Sequence, residues 1–278
     1  MRRLRQPGPA APERIESVAC HGRAIEFMLE PGLSLNEALT RPLIAAGMRS
    51  GSLSFAGGAF GPFSYVTPGP PRDAQHVAYF SDPRSPGEAR VEIANATFGW
   101  RDGVPFVHCH GAWIEPDGSR SGGHVLPHET VIAEGSRVRA WGVADVTIRA
   151  EPDPETNFTL FHPVATDAPT PSARFVVARI CPNEEIGAAL SELCRRHGLA
   201  QAIVRGSLGS LIGARFADGG EVTDHATEVL VRSGRCGPGS DAELDMVVVD
   251  MQGMVHDGRL QAGENAVCIT FELMIEAV

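Results

Sequence analysis

The chain has 278 residues, 43% of them hydrophobic and 21% charged, which describes a soluble globular protein with a sizeable core. Its 34 Asp and Glu outnumber 24 Lys and Arg, and the formal net charge of −10 repels a phosphate backbone unless basic residues gather on one face. With 31 glycines and 21 prolines it calls for many turns, which favours strands.

The basic start, MRRLRQPGPAAPER, is not followed by the apolar stretch of a secretory signal. No run approaches the ~18 apolar residues of a membrane span. Cysteines 20, 109, 181, 194, 236 and 268 form no CxxC pair, as suits reduced structural thiols, so a cytoplasmic location is expected.

A first strand is expected in RAIEFMLE, followed by a helix opened by a Ser34/Glu37 capping box and stopped at Gly47. Pro42 inside that helix predicts a kink or restart. Glycine-punctuated apolar runs follow (SLSFAGGAFGPFSYV), then the alternating strand candidate ARVEIANATFGW. Next come VHCHGAWIEPDGSRSGGHV and a Pro/Ala/Thr-rich linker at 162–173. A second helix is predicted from an Asn183 cap to Gly198, with Ile186, Ala189, Leu190 and Leu193 facing inward. AIVRGSLGSLIGARF, ELDMVVVDM and AVCITFELMIEA supply the later strands.

The chain is written twice. Pro31, Ala38, Leu39, Gly47 and Gly58 match Pro182, Ala189, Leu190, Gly198 and Gly209, each pair 151 apart (182 − 31). Gly118, Gly123 and Glu129 match Gly253, Gly258 and Glu264 at a separation of 135 (253 − 118). The second copy is therefore 16 residues shorter (151 − 135), and 66–107 holds the extra length. The expected fold is α+β: two tandem domains, 15–165 and 170–278, each a mostly antiparallel β-sheet with one main helix packed on it.

His108 and His110 alternate onto one face of a strand, the EPDG run at 115–118 turns the chain, and His124 returns beside them. Three convergent imidazoles make a metal site with an open position. Neutral nitrogen ligands favour zinc, or iron, nickel or copper, over magnesium or calcium. His128 is a candidate fourth ligand or a group behind the ligands, and Glu115 a candidate general base beside such a metal. The duller reading of His108 and His110 is a polar ladder on a half-buried strand.

These residues resemble the PPC domain family (plants and prokaryotes conserved, also written PCC). Its signature, His-x-His, an acidic-glycine turn and Gly-Gly-His, is met by His108-Cys109-His110, Pro116-Asp117-Gly118 and Gly122-Gly123-His124. The resemblance implies small α+β domains that assemble as trimers, some holding a metal at these histidines. In plants the domain follows AT-hook segments and mediates protein association, and bacterial relatives carry a DNA-binding label by analogy. The chain departs from the pattern twice. Arg2, Arg3, Leu4 and Arg5 lack the Arg-Gly-Arg-Pro core of an AT-hook. At a separation of 135 the three histidines become Glu243, Asp245 and Arg259, so the metal site is expected in the first copy alone. If Arg259 points where His124 does, it sits between Glu243 and Asp245 and neutralises them without a metal; the alternative is that all three are ordinary surface charges.

The resulting expectation is an oligomeric binding or regulatory module with a His-ligated metal. Direct DNA binding is disfavoured by net charge, although Arg137, Arg139 and Arg149 could form a local patch. The alternative is a metal-dependent enzyme acting on a small molecule, hydrolytic or cupin-like. Gly103, His108, His110, Glu115 and Gly122 approach the first cupin motif, but His162 does not complete a second. His225 and His256 lack spacing partners, GSLGS at 206–210 lacks the lysine of a P-loop, no GxSxG is present, and Cys109 points away from the histidines.

Overall fold

In the computed structural model, which describes residues 1–166 and 173–278, two eleven-residue helices are the only α-helices among the described residues. The major strands are β1 (Ile15–Cys20), β2 (Gly22–Met28), β3 (Ser50–Phe55), β4 (Ala89–Arg101), β5 (Val104–Ile114), β6 (Arg120–Val125), β7 (Arg137–Val143), β8 (Val146–Pro152) and β9 (Thr159–Ala165). They continue with β10 (Phe175–Ile180), β11 (Ala202–Val204), β12 (Leu208–Leu211), β13 (Thr227–Cys236), β14 (Glu243–Val249), β15 (Val255–Arg259) and β16 (Val267–Ala277). Among the described residues no helix is long and apolar enough to cross a membrane.

Helix α1 (Leu35–Ala45) starts where Ser34 Oγ accepts from the Glu37 N–H at 3.2 Å, and the Glu37 carboxylate answers the Ser34 N–H at 3.4 Å. It runs through Pro42 as one element, against the expected restart; buried Leu35, Leu39 and Leu43 hold it to the sheet. Asn36 joins it to β5, donating to the Pro105 carbonyl and accepting from the Val107 N–H at 3.0 Å. The helix thus anchors the backbone next to His108.

Helix α2 (Ile186–Arg196) buries Ile186, Ala189, Leu190 and Leu193 as its spacing predicts. Its N-cap is Glu185, whose carboxylate accepts from the Ala188 N–H at 2.7 Å, not Asn183. Asn183 stands in the left-handed region (φ 66°), and its amide clamps both backbone groups of Leu4 at 2.8 Å. Its side chain is therefore taken up by the N-terminal segment.

One sheet runs β2-β7-β3-β4-β5-β6, with β8 parallel to β4 and β9 on β8. The other runs β1-β10-β16-β11-β13-β14-β15. Without β1 the two orders are the same, and so are the registers. Ile25 faces Ala140 as Val176 faces Ile275, and His110 faces His124 as Asp245 faces Arg259. The offset between halves is 151 at β3 and β11, 138 at β4 and β13 (234 − 96), and 135 at β5 and β14. Most of the extra length therefore lies between β3 and β4, where Pro68–Gly69 and Tyr79–Phe80 form a small ladder.

β1, expected with the first unit, pairs with β10 at the edge of the second sheet. The expected linker begins inside β9, an edge strand where Pro163 costs no ladder bond; its residues 167–172 lie outside the described residues. Each half has its own core, and Trp141, Ile148, Phe161, Phe175 and Met274 form a third apolar cluster drawn from both.

Candidate metal centre and adjoining cavity

β5 and β6 carry the three histidines to one point because His110 and His124 are directly opposed in the antiparallel ladder. One ligand atom from each of His108, His110 and His124 lies within 4.8 Å of the others. The two glycines before His124 are sterically required. A Cβ on Gly122 would meet Val249 Cγ2 at 2.6 Å, and one on Gly123 (φ +156°) would meet the Val66 carbonyl oxygen at 2.4 Å.

The second half supplies what no spacing argument named. His108 Nδ1 meets Glu272 Oε1 at 2.8 Å, and His110 Nδ1 meets the Val229 carbonyl at 3.0 Å. Both Nδ1 atoms face acceptors and so carry the proton, which leaves the Nε2 lone pairs directed inward. Those Nε2 atoms are 2.9 Å apart, and Glu228 Oε2 lies 2.9 Å from His110 Nε2. Two lone pairs and a carboxylate at that range repel unless a cation, proton or metal, lies among them. Buried His124 Nδ1 and Glu272 Oε2 have no partner, so the donor set fits a transition metal.

Burial works against charge on His110, but Glu228 and the Val229 carbonyl outweigh it and raise its pKa. At His124 burial, followed by the charges of His108 and His110, holds the pKa well below the ordinary value. Cys109, alternating to the other face, is fully buried, and burial alone pushes its thiol far up.

The cluster opens on a cavity of about 560 Å³ between the halves. His128 lines that cavity with its ring 5.8 Å from Phe106. Glu115 does not line it: its carboxylate accepts from Tyr65 Oη at 2.7 Å. Five residues beyond His110, it is on the opposite strand face and about 16 Å away. Glu228 and Glu272 were legible only as lone acids inside apolar strands, TEVLVRSG and ITFELMIEA, and are 7% and 6% exposed.

The counterpart positions look different. Glu243, Asp245 and Arg259 line a separate cleft of about 440 Å³ with Arg139, Arg205 and Arg235. Arg259 does not sit between the two acids: among the described residues no ion pair joins it to either. Arg232, at the bulge where the β13 register shifts, reaches Asp245 at 3.5 Å and also pairs with Asp257. His256 bonds Asp250 at 2.8 Å, and His162 bonds Glu16 at 2.9 Å, far from any cupin arrangement.

Residues 168–278 match the Plants and Prokaryotes Conserved (PCC) domain. The match covers the half that bears Glu243, Asp245 and Arg259. Among solved structures the chain is similar to a plant- and prokaryote-conserved (PPC) protein of Pyrococcus horikoshii, at 16% identity over 50% of this chain and 91% of that one, with a TM-score of 0.41. It is similar to a metal-containing protein of Archaeoglobus fulgidus, at 17% identity over 51% and 95%, with a TM-score of 0.41. A protein of Ralstonia eutropha JMP134 described as a "putative DNA-binding protein" is 20% identical over 49% and 88%, with a TM-score of 0.37. Among curated proteins none matches the chain.

Proposed function

We propose that the chain is a binding module of two tandem PCC-like units, the first from β2 to residue 165 and the second over 170–278 with β1 added at its edge, that holds one transition metal where they meet. His108, His110 and His124 are its ligands, Glu228 faces the same point, and Glu272 fixes the ring of His108. The observation that carries this reading is the 2.9 Å approach of two Nε2 atoms whose rings already spend Nδ1 on acceptors. Zinc suits this donor set best. When bound, the metal supplies a Lewis-acidic centre facing the cavity.

The second unit keeps the scaffold but serves as a wall, lending Glu228 and Glu272 to the first unit's site. A trimeric assembly is what the family resemblance implies, as is any association with DNA, and the unpaired cysteine spacing favours the cytoplasm. Direct contact with DNA is disfavoured by the net charge of −10. A metal-dependent enzyme is the alternative, favoured by the cavity against the metal face.

Metal analysis of purified full-length protein, paired with its native mass, tests the reading. One zinc per chain, lost in His110→Ala, is expected. A metal-free chain that takes up no added zinc overturns it.

A further inference from the structure

We infer that the cavity takes a small aromatic carboxylic acid, its carboxylate toward the histidine cluster and its ring in an aromatic chamber closed by residues 67–83. This rests on the metal reading above and adds the ligand's chemical class. Polar groups near the cavity floor are already spent: Ser210 Oγ accepts from the Ile269 N–H at 3.0 Å, and Thr227 Oγ1 donates to the Leu211 carbonyl at 3.2 Å. Glu228 Oε2 faces His110 and Glu272 Oε1 faces His108, while Glu272 Oε2 has no partner. What remains to attract a ligand at that end is the cation held by the imidazoles, His124 among them, and a metal with an open position calls for an oxyanion.

The walls call for an aromatic body. The Phe80 ring stands 5.2 Å from His124 and 6.1 Å from Phe158, Tyr79 lies 5.8 Å from Phe158, and Phe106 lies 6.1 Å from Phe161. These rings line one chamber whose size suits a small organic molecule. Tyr79 and Phe80 belong to the stretch between β3 and β4 that is longer than its counterpart in the second half. Asn157 Nδ2 ties that stretch down by donating to the Gln75 carbonyl at 2.9 Å. The added residues therefore turn an open sheet face into a walled chamber, and they are the specificity-determining segment.

Calorimetric titration of the zinc-loaded full chain tests this, with phenylacetate, acetate and benzyl alcohol as probes and zinc content measured in each sample. Phenylacetate is expected to bind at least about tenfold more tightly than either of the others, because only it has both ring and carboxylate. Its binding is expected to vanish on zinc removal. Phe158→Leu and Phe80→Leu, which keep apolar bulk, are expected to retain zinc and lose most of the preference over acetate. Equal affinity for acetate and phenylacetate in zinc-loaded protein overturns this inference alone, as does phenylacetate binding indifferent to zinc. Failure to take up zinc at all overturns the metal reading and the placement of the carboxylate with it.

Discussion

His108 Nδ1 lies 2.8 Å from Glu272 Oε1, a bond between the first sheet and the last strand of the second. It fixes which nitrogen of His108 faces the cluster, so a residue 164 positions away decides whether the ring can serve as a ligand.

Glu272→Ala is therefore expected to weaken zinc binding by about 10- to 100-fold without unfolding the chain. Competition titration with a chromogenic chelator measures it. Unchanged affinity would show that ring orientation is set by packing alone.

Gly123→Ala places a Cβ 2.4 Å from the Val66 carbonyl oxygen at a backbone conformation that disfavours side chains. A loss of about 1–3 kcal/mol in unfolding free energy is expected, together with weaker zinc binding because His124 follows directly. Urea denaturation with and without zinc separates the two effects.

Arg179, 1% exposed, bonds Asp153 at 2.7 Å and Glu16 at 2.8 Å. Burial pushes both carboxyls up, but Arg179 outweighs it at Asp153, and His162 with Arg179 outweighs it at Glu16, so both pKa values end below ordinary. Stabilisation of this kind is present above the unfolded carboxyl pKa and is lost as pH falls through the lower folded values. Arg179→Met is expected to cost about 3–5 kcal/mol at neutral pH by leaving the buried Asp153 carboxylate without its cation, while Glu16 keeps His162. The deficit should shrink in acid below about pH 4, where the carboxyls protonate. Melting curves of both proteins across pH check this, and a pH-independent deficit would point to lost packing instead.

Asn183→Ala removes both bonds to Leu4 and puts alanine at φ 66°. Faster proteolytic cleavage within residues 1–10 is expected, along with a lower melting temperature. Asn183→Gly, which tolerates that φ, should recover part of the melting temperature but not the protease resistance.

The α+β class, the inward face of α2, the capping box at Ser34 and the convergence of His108, His110 and His124 were all legible as spacing. Each depends on residues near one another in the chain or on a fixed strand period. Local spacing misleads where a distant segment competes for a side chain. Asn183 has good capping chemistry, but the N-terminal segment takes its amide; Arg259 faces Asp245 in register, but the bulged Arg232 reaches the acid. Glu115 failed for a simpler reason, strand alternation over an odd number of residues.

By itself the sequence determined that three imidazoles share one strand face and that the two halves repeat one strand order, because periodicity and offset are properties of the chain. Tertiary structure alone decided that the site is shared. Glu228 and Glu272 lie more than 100 residues from the histidines, and only the packing of one sheet on the other brings their carboxylates to 2.9 and 2.8 Å. Buried charge is tolerated there because Glu272 accepts from the His108 Nδ1–H and Glu228 faces the proton or metal that the imidazoles share, a pairing that local spacing cannot express.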